Sequence, residues 1–154
     1  MTTVRILPIA LVAALALLAA GCGGGGSGTI SPELVRSANA ICKQQRAQIG
    51  HVRVPATPTM PAIARYLARV LPIAEKANAD LHALEPPKGR EELWKKLLGE
   101  SDTSLMQLRH MLLAARGRAR LVYHVAQSRL ATSDLEFSQT AHDIGLVTCA
   151  TPGA

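Results

Sequence analysis

Residues 89–118 read GREELWKKLLGESDTSLMQLRHMLLAARGR, and their spacing decides the fold class. Leu93, Leu97, Leu98, Leu105, Leu108 and Leu112 recur with helical period, and Trp94 stands beside them. Glu91 and Glu92 open the stretch, where carboxylates favour the positive end of a helix dipole. Gly117, between Arg116 and Arg118, marks a turn. The pattern predicts a helix from about Gly89 to Ala115 with a leucine face. Such a face is stable only against other apolar faces, so the flanking sequence must supply them.

It does so on both sides. Downstream, a helix is predicted from about Ala119 to Ile144, with Val122, Val125, Phe137, Ala141 and Ile144 turned inward. Gly145 supplies a left-handed cap, and Leu146 packs back on the last turn. Upstream, Ser31-Pro32-Glu33 has a capping serine, a proline suited to the first helical position and an acid at the dipole's positive end. Leu34, Ala38, Ile41, Cys42, Gln45 and Ile49 then follow a helical stripe, and Gly50 is a stop. Pro55 and Pro58 make His51–Thr59 a loop. A further helix starts at Thr59 or Met60. Its stripe is Ile63, Leu67, Val70, Leu71, Ala74, Leu81 and Leu84, and Pro86-Pro87 ends it. Pro72 inside it removes one backbone hydrogen bond and predicts a bend near Ala68–Pro72. No stretch alternates β-branched residues as a strand does. The expectation is all-α: an antiparallel up-down-up-down four-helix bundle over residues 31–150.

Residues 1–30 have a different composition. Met1 to Arg5 carries one positive charge, and Ile6 to Ala20 is uncharged and almost wholly aliphatic. This basic start and short apolar run describe a secretory signal peptide, too short for the ~20 residues a spanning helix needs. Leu18-Ala19-Ala20-Gly21-Cys22 resembles a bacterial lipobox, with Ala19 where that signal most often has Leu. The resemblance implies cleavage after residue 21, lipid on Cys22 and a membrane anchor. Residues 22–30, beginning CGGGGSGT, read as a flexible linker. The glycine run lacks the Gly-Lys-Ser/Thr ending of a phosphate-binding loop.

With Cys22 acylated, Cys42 and Cys149 remain, an even pair in an oxidising location. Cys42 lies on the apolar face of the first helix, and Cys149 just past the fourth. In an antiparallel bundle these places meet, and a bridge would close a loop of more than 100 residues. The rival reading is a Cys149 nucleophile helped by His142. It needs a depressed thiol pKa and an aligned base, and neither is visible in the sequence.

The motifs Ala38-Asn39-Ala40-Ile41-Cys42-Lys43, Leu84-Glu85-Pro86-Pro87 and Ala141-His142-Asp143-Ile144-Gly145-Leu146, with Cys149 at the end, span the region 30–150. On them the chain resembles a group of small actinobacterial lipoproteins. The resemblance implies a cell-envelope address and a disulfide-stapled helical domain, and carries no activity.

Catalytic and metal signatures are sparse. No Glu has a His three places later, as a di-iron bundle requires, and neither Cys-x-x-Cys-His nor His-Glu-x-x-His occurs. The only Gly-Ser-Gly is in the linker. Among His51, His82, His110, His124 and His142, the pair His110 and His124 with Met106 and Met111 leaves non-covalent haem as an alternative; otherwise the methionines fill the core and the histidines sit at its rim. A hydrolase would need a pocket joining His124 or His142 to an acid. Tyr66, Trp94, Tyr123 and Phe137 are the only aromatics, too few for a base-stacking platform, so nucleic acid is not expected as a partner.

The formal charge is +6, falling to +5 when Arg5 leaves with the signal peptide. Arg116, Arg118 and Arg120 cluster at the turn between the third and fourth helices, at the bundle end where the second helix starts. They read either as a solvated turn with favourable charge at a helix C-terminus, or as a contact for an acidic partner or lipid headgroup. The sequence thus leads to a lipid-anchored extracytoplasmic protein of the cell membrane, non-enzymatic and without cofactor, with a binding or scaffolding role in the envelope. The alternative is a carrier of a small ligand, haem or metal in the bundle core.

Overall fold

The computed structural model describes residues 30–151. The expected signal peptide at 1–21, the expected lipidation at Cys22 and all but the last residue of the expected 22–30 linker lie outside the described residues. Four long helices form the domain: α1 (Pro32–Gly50), α2 (Met60–His82), α3 (Glu91–Arg116) and α4 (Arg120–Ile144). A single-turn helix, α5 (Val147–Ala150), follows. There is no strand among the described residues, and the fold class is the helical bundle that the periodicity predicts. No described helix is long and apolar enough to cross a membrane.

The caps explain where the helices begin. The Ser31 hydroxyl accepts a hydrogen bond from Glu33 N at 3.2 Å, and Thr59 Oγ1 accepts one from Ala62 N at 3.4 Å. Each satisfies one of the backbone donors that a helix start leaves unpaired. α3 starts two residues later than predicted because Gly89, at φ +78°, holds the chain outside the helix while its N–H donates to Glu91 Oε1 at 2.9 Å. A hydrogen bond from Glu91's own backbone, and then the one from Gly89, hold the Glu91 carboxyl below its ordinary pKa. α2 stays one helix across Pro72 and closes at His82, short of Pro86-Pro87.

Two apolar clusters divide the core. The first gathers Ala38, Cys42, Leu81, Trp94, Leu97, Ala141, Ile144, Leu146 and Cys149, with contributions from all five helices. The second gathers Leu67, Val70, Leu108, Met111, Leu112, Ala114, Ala115, Tyr123 and Ala126. Here α1 contributes only the partly buried Ile49. Cross-helix bonds run in opposite order on adjacent helices: Arg109 with Glu75 and Asn78 with Asp102 for α2 and α3, Ser104 with Ser133 and Thr140 with Glu100 for α3 and α4. The first cluster therefore marks one end of the bundle and the second the other.

α4 departs from the expected pattern. Its buried stripe is Tyr123, Ala126, Ser133, Thr140, Ala141 and Ile144. Val122 and Val125, predicted to face inward, are 56% and 44% exposed. In the first half of the helix the stripe is turned by one residue, Tyr123 and Ala126 taking the buried positions, whereas Ala141 and Ile144 are buried as expected. Phe137 is half-buried against the first cluster, as expected.

Candidate functional site

Three features of the surface and core bear on function: the disulfide corner, a polar seam between α3 and α4, and the arginine-bearing end.

At the corner, Gly145 takes φ +91°, and its N–H donates to His142 O at 2.9 Å while Leu146 N donates to Ala141 O at 2.8 Å. Leu146 is completely buried, which is the predicted packing back of the chain. The turn delivers α5 onto α1. Thr148 N donates to Asn39 Oδ1 at 2.8 Å, the Arg46 guanidinium donates to Thr148 O, and Cys42 and Cys149 form a disulfide with Cα atoms 5.3 Å apart. Cys149 is thus a bridged cysteine in this structure, which removes the nucleophile reading. His142 is exposed, and among the described residues the carboxylate within 4 Å of it is that of Asp143, at 3.8 Å.

The polar seam was not visible in the sequence. Glu100 is buried, accepts from Thr140 Oγ1 at 3.1 Å, and has Lys96 Nζ at 3.6 Å. Ser104 donates to Ser133 Oγ at 2.9 Å and Asp134 Oδ1 at 2.7 Å. Burial raises the Asp134 pKa, and the Ser104 bond opposes the shift. Trp94 Nε1, Glu100 Oε2 and Gln107 Oε1 are buried without a hydrogen-bond partner. A serine, threonine or glutamine at a seam position carries no sequence mark that separates it from a surface residue, which is why periodicity missed them.

The remaining histidine and methionine expectations resolve by placement. All five histidines are exposed. Met111 is in the core and Met106 is 44% exposed, so Met106, Met111, His110 and His124 do not share one enclosed site. His82 Nε2 lies 3.0 Å from Asp102 Oδ1, but the nearby Ser101 hydroxyl donates to Asn78 Oδ1 at 2.6 Å. That set lacks the nucleophile-to-base contact that a hydrolytic triad requires. No group of three or more His, Cys, Asp or Glu side chains suited to a metal occurs among the described residues.

The arginine-bearing end assembles differently from the predicted trio. Arg116 and Arg118 line a depression of about 380 Å³ together with Arg65 of α2 and an apolar floor of Pro61, Ala64, Ala68 and Ala115. Arg120, the third predicted residue, is not part of this lining; it is exposed at the first position of α4. Arg118 adopts φ +54°, the left-handed conformation that turns the chain from α3 into α4. Among the described residues Arg65, Arg116 and Arg118 form no ion pair. A second hollow, of about 340 Å³, lies between α3 and α4, with Leu113, Val122 and Val125 as its apolar wall and His110 and Arg129 at its edge.

Charge is segregated along the bundle. Glu33 aside, all of the 11 acidic residues fall within 75–102 and 134–143. Residues 34–74 and 103–133 contain none, and the fold brings the later part of the first stretch against the second to make one end. The signal was present in the sequence as two long acid-free gaps, but only the helix pairing shows that they share one end.

Compared with known proteins, the chain matches no family model, no curated sequence and no solved structure.

Proposed function

We propose that this chain is an extracytoplasmic lipoprotein, anchored to a membrane through lipid on Cys22, which performs no chemistry and binds an anionic partner in the cell envelope. The observation that carries the binding reading is the acid-free end, where Arg65, Arg116 and Arg118 surround an apolar floor with no carboxylate to neutralise them. Guanidinium groups bind carboxylates and phosphates in two-pronged fashion, and an apolar floor beside them favours a ligand with both charged and greasy parts. The anchor reading rests on the lipobox resemblance and the Gly/Ser linker that precedes Ile30. α1 begins at the acid-bearing end, so the linker joins the bundle there and leaves the arginine end at the far side.

Two measurements separate the parts of this reading. Cells fed a clickable fatty acid label the full chain, and Cys22→Ser abolishes the label and releases the protein from the membrane fraction. Retention of the label in Cys22→Ser sinks the anchor. For the partner, the chain bearing Arg65→Gln, Arg116→Gln and Arg118→Gln loses salt-sensitive binding to envelope fractions while its melting temperature holds. Unchanged binding removes the arginine end from the function, whatever the outcome with Cys22.

A further inference from the structure

α4 is clothed on one side only. Its packing partners are α3 and α5. The centre of its bare face is Ser128, which lies on the helix side opposite the stripe of Tyr123, Ala126, Ser133 and Thr140. Leu121 and Leu135 stand seven residues to either side of Ser128 and, at about 100° per residue, within about 20° of it in projection. They are 78% and 58% exposed. Surface leucines are ordinary when scattered, but these two are symmetric about a small residue on one unpartnered face. A two-fold axis through Ser128, perpendicular to the helix, sets Leu121 of one copy level with Leu135 of the other, and the reverse.

The charges select the direction. Parallel pairing would place two arginine-bearing, acid-free ends side by side. Antiparallel pairing sets that end of each copy beside the acid-bearing end of the other along α4, which contributes nothing to the depression lined by Arg65, Arg116 and Arg118. We propose that the chain forms a symmetric antiparallel dimer through α4, with Ser128 at the axis and Leu121 against Leu135 of the second copy. The seam is isologous, so each half supplies both the leucine and its socket. A one-helix seam covers roughly half the area of a standard stable interface, so the dimer is concentration-dependent.

The test uses the full chain in isolated membranes, with a mild oxidant and non-reducing electrophoresis. The unsubstituted chain serves as the blank, since Cys42 and Cys149 are already bridged. Ser128→Cys yields a reducible band of twice the mass. Leu121→Cys alone and Leu135→Cys alone yield none, whereas the chain carrying both yields one. Leu135→Lys added to Ser128→Cys lowers the cross-linked fraction by about tenfold, as a charge set in an apolar seam should. All these positions are exposed, so the substitutions spare the core. A monomer with Ser128→Cys overturns the proposal. So does self-linking of Leu121→Cys, which means parallel pairing. A band of another mass assigns the face to a different protein and also overturns it.

Discussion

The two ends of the bundle are built on different terms. At the disulfide end all five helices converge, and Trp94, Leu97, Ala141 and Leu146 are almost wholly buried. At the arginine end α2, α3 and α4 supply the buried side chains, α1 adds little, and Leu113 and Val122 remain open to solvent. One end is closed by covalent chemistry and apolar contact. The other keeps like charges together with no acid among them, an arrangement that costs folding energy and so points to binding.

The largest break in this contrast is removal of the bridge. Cys42→Ser with Cys149→Ser should destabilise the protein by about 4 to 5 kcal/mol in urea unfolding, because a loop of sequence separation 107 is no longer closed in the unfolded chain. Hydrogen exchange should then show lost protection in α1 and α5 while α3 amides near Leu108–Leu112 hold theirs longest.

Two leucines of one helix sharpen the comparison next. Leu97→Ala, at a fully buried site, should cost about 2 to 5 kcal/mol. Leu113→Ala, on the same helix at the open end, should stay within about 0.5 kcal/mol. Equal losses would mean that the open end is as tightly packed as the closed one.

Gly145→Ala forces a side chain into a positive-φ position and should cost about 1 to 2 kcal/mol by thermal unfolding, although nothing lies near the added carbon. The effect is conformational and local to the closed end.

The smallest effect is titrational and lies midway. Asp134 has a raised pKa in the folded state, so its contribution to stability is fully present below its ordinary value of 3.8 and is lost as pH rises through the raised folded value. Asp134→Asn should remove that part of the pH dependence in melts recorded across the acid range. A profile unchanged by the substitution would show that the Ser104 bond fully offsets burial.

Much of this was legible in the sequence, and the failures have physical reasons. The helices, the serine cap of the first, the Gly145 turn and the bridge each left a local mark: a period, a hydroxyl, a glycine, a pair of cysteines. The facing of α4 did not, because Val122-Val125 and Tyr123-Ala126 have the same spacing and only tertiary contact chooses between them. The make-up of the depression at the arginine end was hidden for the same reason. Nearness in sequence joined Arg120 to the cluster, whereas the fold joins Arg65 instead, from a helix some fifty residues away. The seam residues Glu100, Ser104, Gln107, Ser133 and Thr140 look like surface positions until two helices close over them.

The bridge between Cys42 and Cys149 also settles how the molecule carries load. A pull applied upstream of Cys42 and downstream of Cys149 passes through the sulfurs and never enters the loop between them. α2, α3 and α4 are bypassed, as a shackle bypasses the rope coiled beside it. Only the first turns of α1 and the tail beyond Cys149 lie in the line of tension, so stretching by those two handles should extend a short segment and leave the helices behind the bridge folded until the disulfide is reduced.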